Sequence, residues 1–128
     1  MITIDNQCFV LETDHTAYAF EVSGGVLRHL YYGNKLRRVE DYPLAAPRPL
    51  FAPGNAAVLE SGVSLEDLSQ ECGSVGWGDV RESLVDVELP DGGRSALFRF
   101  AYYERVAAAQ PCGLPAAIGG GETLKVVL

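Results

Sequence analysis

Ala17-Tyr18-Ala19-Phe20-Glu21-Val22-Ser23-Gly24-Gly25-Val26-Leu27-Arg28-His29-Leu30-Tyr31-Tyr32 decides the fold class of this chain. Its first half places Tyr18, Phe20 and Val22 on one face at period two, the spacing of a strand. Ser23-Gly24-Gly25 follows, and glycine takes positive φ at no steric cost, so the backbone can reverse there. Two apolar runs about a Gly-Gly turn predict a β-hairpin. The second run, from Val26 to Tyr32 and closed by Gly33-Asn34, is apolar on both faces and should be covered on both. His29, set among Leu and Tyr, reads as a packed, hydrogen-bonded histidine rather than a ligand, because buried polar groups are normally paired.

Upstream lie two short extended runs, Ile2-Thr3-Ile4 and Cys8-Phe9-Val10-Leu11-Glu12-Thr13, separated by Asp5-Asn6-Gln7. Downstream, from Lys35 to Gly62, the regularity dissolves. Pro43, Pro47, Pro49 and Pro53, with Gly54 and Asn55, exclude a central strand or a helix interior. A loop this long is unusual in a compact domain and is often functional or an arm onto a neighbour. Within it, Glu40-Asp41 beside Tyr42 should form a solvated turn. Ser64-Leu65-Glu66-Asp67-Leu68 predicts one helical turn, with Ser64 and Asp67 at capping-box spacing.

Further on, Val85, Val87 and Leu89 alternate with Asp86 and Glu88, and Pro90-Asp91-Gly92-Gly93 is a strong turn signal. Ala96, Phe98, Phe100 and Tyr102 then share one face of a long strand ending near Arg105. This second hairpin should supply most of the aromatic mass of the core. Residues 107 to 121 are irregular again, and Glu122-Thr123-Leu124-Lys125-Val126-Val127-Leu128 looks like a strand whose partner is missing. Six or seven strands in hairpins give an all-β class: an antiparallel β-sandwich with long irregular loops and very little helix.

The bulk numbers narrow the function. With 128 residues the chain is one domain or part of one. A net charge of -7 argues against a nucleic-acid partner, which needs a basic face, and fits a neutral or cationic one. Cys8, Cys72 and Cys112 are odd in number and far apart, with no CxxC and only His15 and His29 to assist. No metal site and no cofactor are therefore expected, and the thiols read as reduced, as in a cytoplasmic protein. No signal peptide precedes Asp5-Asn6, and no apolar run is long enough to span a membrane.

Gly76-Trp77-Gly78-Asp79-Val80-Arg81-Glu82 holds the only Trp. If Asp79 and Arg81 lie in extended chain they point to the same side. Together with Trp77 they can dock a sugar, the indole covering the apolar side of a pyranose and the charges meeting its hydroxyls. Trp77, Asp79 and Arg81 are accordingly the substrate-vicinity candidates; the competing reading is a structural ion pair beside a packed Trp. The apolar phase of 85 to 89 has the parity of Asp79 and Arg81. Either a bulge near Ser83 resets it, or the upstream segment belongs to no shared strand. No two carboxylates stand at a spacing that argues for glycosidase chemistry, so no catalytic residue is assigned.

Several phrases stand in a familiar order: Thr16-Ala17-Tyr18-Ala19-Phe20, Gly25 to Gly33, Ser64-Leu65-Glu66-Asp67-Leu68-Ser69-Gln70-Glu71, Gly76 to Glu82, Asp91-Gly92-Gly93-Arg94, Gly113-Leu114-Pro115-Ala116 and Glu122-Thr123-Leu124. In this order the chain resembles the N-terminal β-supersandwich domain of glycoside hydrolase family 36, the bacterial and fungal α-galactosidases. It departs from the family at Cys72-Gly73, where an aromatic and a proline usually follow the Gln-Glu pair. The resemblance implies a retaining enzyme for α-galactosides such as raffinose or melibiose, with two catalytic aspartates on a TIM barrel. It also implies that residues 1–128 are the leading part of the N-terminal domain, without that barrel or the C-terminal domain. The expected partners are the barrel of the same enzyme, further copies of it (a tetramer in the family) and, indirectly, the α-galactoside. A sheet ending at Leu128 should leave strand edges that associate. The alternative from another class is a stand-alone β-sandwich carbohydrate-binding module.

Overall fold

The computed structural model describes residues 1–48, 64–77, 79–107 and 121–128. Four strands, β1 (Ile2–Asp5), β2 (Cys8–Glu12), β3 (Thr16–Ser23) and β4 (Val26–Asn34), form an antiparallel sheet in sequence order. Two of its hairpins close over two residues, with Asp5 opposite Cys8 and Ser23 opposite Val26. Asn6, Gln7, Gly24 and Gly25 all take positive φ, the backbone of the turn whose twist matches the flanking strands. Between Ala19 and Phe20 the register jumps from Tyr31 to His29, so Leu30 is the extra residue of a bulge.

Both faces of this sheet are covered, as the apolar pattern of β4 requires. On one, Cys8, Val10, Ala17, Ala19 and Leu30 form a buried cluster with Tyr42. Val26 joins Leu65 and Leu68 in a second cluster, with Leu97 against it. On the other face Phe9 stacks on Phe20, with ring centroids 4.9 Å apart. Phe9 also meets Phe100 at 6.1 Å and Tyr103 at 5.2 Å. The rings thus join the first sheet to a second, formed by β5 (Tyr102–Val106) and β6 (Thr123–Val127), and the chain is an antiparallel β-sandwich.

Four expectations are corrected. The run at the chain's end has a partner: β6 pairs antiparallel with β5, Tyr102 opposite Val127 and Val106 opposite Thr123. The aromatic core is built mainly by Phe9, Phe20 and Tyr42 rather than by the second hairpin, since Tyr102 and Tyr103 remain 48% and 43% exposed. That hairpin has its turn, with Leu89 N–H donating to Gly93 O at 2.8 Å, but its flanks form no ladder. Their backbone bonds go instead to three other segments: Leu84 to Gly73 and Ala96 to Val75, Phe100 to Gly25, and Ala101 to Val127. Finally, Tyr42 is a core residue at the head of a short helix, α1 (Tyr42–Ala45), after a 3-10 turn at Val39–Asp41. Pro43 is tolerated there because the first helical turn leaves its N–H positions unbonded anyway. The Tyr42 hydroxyl donates to Glu12 Oε1 and accepts from Leu36 N–H, both at 3.2 Å.

Two devices close the edges of the four-stranded sheet. Residues 69–71 run along β4, with His29 N–H donating to Ser69 O at 2.7 Å and Glu71 N–H to Leu27 O at 3.0 Å. At the β1 edge, Ile2 N–H donates to Glu122 Oε2 and Ile2 O accepts from Arg105 Nη2, each at 3.2 Å. Side chains of the second sheet thereby occupy backbone groups that an approaching strand would use. Ser64–Leu68 makes the expected turn, with Asp67 N–H bonded to Ser64 O and Leu68 N–H to Leu65 O. The prolines and Gly-Asn step within 49–63, and the 108–120 segment with Cys112, lie outside the described residues.

Candidate functional site

The segment carrying Trp77, Asp79 and Arg81 is a tight turn rather than a strand, which resolves the parity conflict with Val85. Asp79 N–H donates to Gly76 O at 3.1 Å, and Gly76 and Asp79 bridge across the turn. Gly76 has φ +106°, and a Cβ there would meet the Ser95 Oγ at 2.1 Å and the Ser95 Cα at 3.0 Å. Only glycine satisfies both conditions. Trp77 follows with φ +55°, a left-handed conformation that is an outlier for a bulky side chain, and it is 54% exposed.

Asp79 and Arg81 do meet, though not as neighbours on one side of an extended chain. Asp79 is 5% exposed. Its Oδ1 accepts from Arg81 N–H at 3.1 Å and from Arg81 Nε at 2.8 Å. Its Oδ2 accepts from Arg81 Nη2 at 2.7 Å and from Gln70 Nε2 at 2.6 Å. A carboxylate has about four acceptor sites, so Asp79 is saturated from within the chain. Arg81 in turn donates from Nη1 to Leu68 O at 2.7 Å and from Nη2 to Leu65 O at 2.8 Å. Leu65 O and Leu68 O also accept a backbone N–H, from Leu68 and Gln70 respectively, so Arg81 adds a second bond to each and locks the 64–68 turn to the Trp77 turn.

Electrostatics follow from this packing. Burial pushes the Asp79 carboxyl upward, but the hydrogen bonds and charge of Arg81, with Gln70, outweigh it and hold the group below the usual carboxylate value. The hydrogen bond to Asp79 raises Arg81 against its own desolvation, helped by the charges of Asp79, Glu66 and Asp67. Beside the lock, His29 Nδ1 lies 2.6 Å from Glu71 Oε1, with the Tyr18 ring 5.8 Å from the His29 ring. His29 is thus a packed, hydrogen-bonded residue. Burial first, then the hydrogen bond and charge of Glu71, push the Tyr18 hydroxyl well above its ordinary value.

Gln70, Glu71, Gly73, Asp79, Arg81, Glu82 and Leu84 line an open groove of about 280 Å³. Trp77 stands outside it. Among the described residues no three His, Cys, Asp or Glu side chains converge as a metal site. Gln70 and Glu71 were not singled out by the sequence reading. Their signal is weak: nothing local says that a Gln nine residues upstream of an Asp will bond it.

The geometry first defines a class: an antiparallel sandwich whose open groove is braced by an Asp–Arg lock. Residues 25–128 match the family model described as the glycosyl hydrolase family 36 N-terminal domain, and the chain belongs to that family. It is 36% identical over 130 residues to the bifunctional alpha-galactosidase/sucrose kinase AgaSK of Mediterraneibacter gnavus, covering 97% of this chain and 14% of that protein. The solved galactosidase domain of an alpha-galactosidase-sucrose kinase AgaSK is similar at TM-score 0.80 and 30% identity, over 98% of this chain and 19% of that one. The alpha-galactosidase AgaA of Geobacillus stearothermophilus is similar at TM-score 0.76 and 26% identity, over 93% and 17%. The chain thus spans less than a fifth of each of these relatives.

Proposed function

We propose that this chain is the non-catalytic N-terminal portion of a retaining α-galactosidase that removes terminal α-galactosyl groups from sugars such as raffinose or melibiose. The observation that carries the reading is the family match over 25–128 in a chain covering 14–19% of alpha-galactosidase relatives. In this reading residues 1–128 pack on a catalytic barrel of the same polypeptide, help assemble a homo-oligomer, and shape the sugar pocket from outside. The barrel supplies both catalytic aspartates. A reducing, cytoplasmic location fits the free thiols of Cys8 and Cys72.

Within the candidate site the roles divide. Asp79 has no acceptor left for a sugar hydroxyl and acts by holding Arg81 and the turn. Trp77, half exposed, is left for an outside surface: a protein face in the complete enzyme, or a pyranose ring in a stand-alone module. The test is the intact mass of the product purified from its source, with hydrolysis of a chromogenic α-galactoside measured on the same sample. A mass several times that of 128 residues with α-galactosidase activity supports the reading; a 13.8 kDa product contradicts it.

The exposed Trp77 also favours a second reading, a stand-alone carbohydrate-binding module. Titration of the 128-residue product with galactose or raffinose, followed by Trp77 fluorescence, separates the two, and no change at millimolar sugar rejects the module.

A further inference from the structure

Exposed large apolar side chains are concentrated in one stretch of this chain. Of the twelve large hydrophobic residues exposed among the described residues, six lie between 75 and 89: Val75, Trp77, Val80, Leu84, Val85 and Leu89. Val80 and Leu84 are 85% and 71% exposed. A concentration of this kind marks an interaction site, whereas single exposed side chains need no explanation. The base beneath it is rigid, because the Asp79–Arg81 lock and the bonds of Leu84 to Gly73 and Ala96 to Val75 fix the turn. Trp77 is thus held outward in a costly backbone conformation by the lock beneath it, and such strain gathers where a surface is used.

We propose that the 75–89 segment is the docking face for the catalytic domain of the same polypeptide, with Trp77 as its anchor. This rests on the reading that an α-galactosidase barrel accompanies the chain. Two observations select that occupant. The relatives matched across nearly this whole chain are more than five times its length, so most of each lies beyond the equivalent of these residues. Charge supplies the second. Between 71 and 94 there are six acidic residues and only two arginines. Arg81 is spent on Asp79, and Arg94 is shared between Asp86 and Glu88 at 3.6 and 3.5 Å. Glu82, on the rim of the groove, has no ion pair among the described residues. The partner surface is therefore an apolar pocket for an indole, with a Lys or Arg beside it that enters the groove between Glu71 and Glu82.

Val80 and Leu44 form a matched pair for the test, 85% and 84% exposed but on different segments. Val80→Cys and Leu44→Cys are made separately in the full-length polypeptide, and maleimide labelling at each site is followed by peptide mass mapping. The position 80 thiol should label at least ~10-fold more slowly than the position 44 thiol, as a covered site does. Equal rates overturn the docking face. A photo-reactive benzophenone amino acid at position 80 then identifies the cover: a crosslink that leaves the denatured mass of one chain supports the same polypeptide. One that doubles the mass means a second copy and overturns the assignment. A native product of only 13.8 kDa overturns the parent reading as well, whereas a full-length product with equal labelling overturns the docking face alone.

Discussion

Replacing Asp79 by Asn tests the lock with almost no change of volume. The amide puts an NH2 where one carboxylate oxygen now accepts two hydrogen bonds, so two donors face a donor whichever way it turns. Those donors are Arg81 N and Nε in one orientation and Arg81 Nη2 with Gln70 Nε2 in the other. A hydrogen bond to a charged group is worth about 1.5–3 kcal/mol. Losing two of them suggests about 3–6 kcal/mol before relaxation. The Arg81 side chain is 45% exposed, so water recovers much of its solvation, and about 2–3 kcal/mol is the expected net loss. For a domain of this size that corresponds to a fall of roughly 10 °C in Tm.

Thermal unfolding followed by the single Trp, which sits two residues from the substitution, measures it directly. The pH dependence adds a sign. Asp79 is held below its ordinary value in the folded chain, so its stabilisation is present above the unfolded carboxylate pKa of about 4. It is lost as the pH falls through the lower folded value. The difference between the wild type and Asp79→Asn should therefore be constant at neutral pH and shrink below about pH 4. A Tm within ~2 °C of the wild type at pH 7, or a difference that grows on acidification, refutes the saturated-lock reasoning.

Gly76→Ala should destabilise by about 2–4 kcal/mol, because φ +106° and the approach of Ser95 act together; chemical denaturation that finds under ~1 kcal/mol contradicts that geometry. Tyr18 has a raised pKa, so its stabilisation is full below the unfolded value of about 10 and is lost as pH rises through the folded one. Tyr18→Phe should accordingly flatten the stability loss above about pH 10 in a Tm-versus-pH series. Cys8 is 7% exposed, and burial first, then Glu21 and Asp5, raise its thiol. It should stay unreactive to a thiol reagent until the chain unfolds, while the less buried Cys72 reacts first.

The first sheet was legible because apolar runs of strand length, the alternation of Tyr18, Phe20 and Val22, and the Gly24-Gly25 turn all agreed. The Leu30 bulge was not, since an apolar residue on a strand apolar on both faces breaks no pattern. Tyr42 was misplaced for a different reason. Pro43 stops a helix interior but suits a helix start, and the acidic pair before it made the stretch look solvated. Alternation in Ala96, Phe98, Phe100 and Tyr102 predicts a long strand, but only Tyr102 lies in one, at the start of β5, and alternation says nothing about the partner. The observed backbone bonds run to Val75, Gly25 and Val127, distances in sequence that no local rule encodes.

At the candidate site the ion pair that the residue types allowed is present, but Trp77 is exposed rather than packed beside it. Asp79 and Arg81 would have faced one object together only in extended chain. They act on each other instead, since the turn at Gly76 folds the Arg81 backbone and guanidinium back onto the carboxylate. That turns the Asp79 carboxylate inward, leaves the Arg81 side chain half exposed, and leaves Val80 and Leu84 outward. An internal ion pair that exposes Trp77, Val80 and Leu84 makes sense only if another surface removes them from water. Evidence that this face is covered in the full-length polypeptide would give the lock, the strained Trp77 and the requirement for glycine at position 76 one common cause.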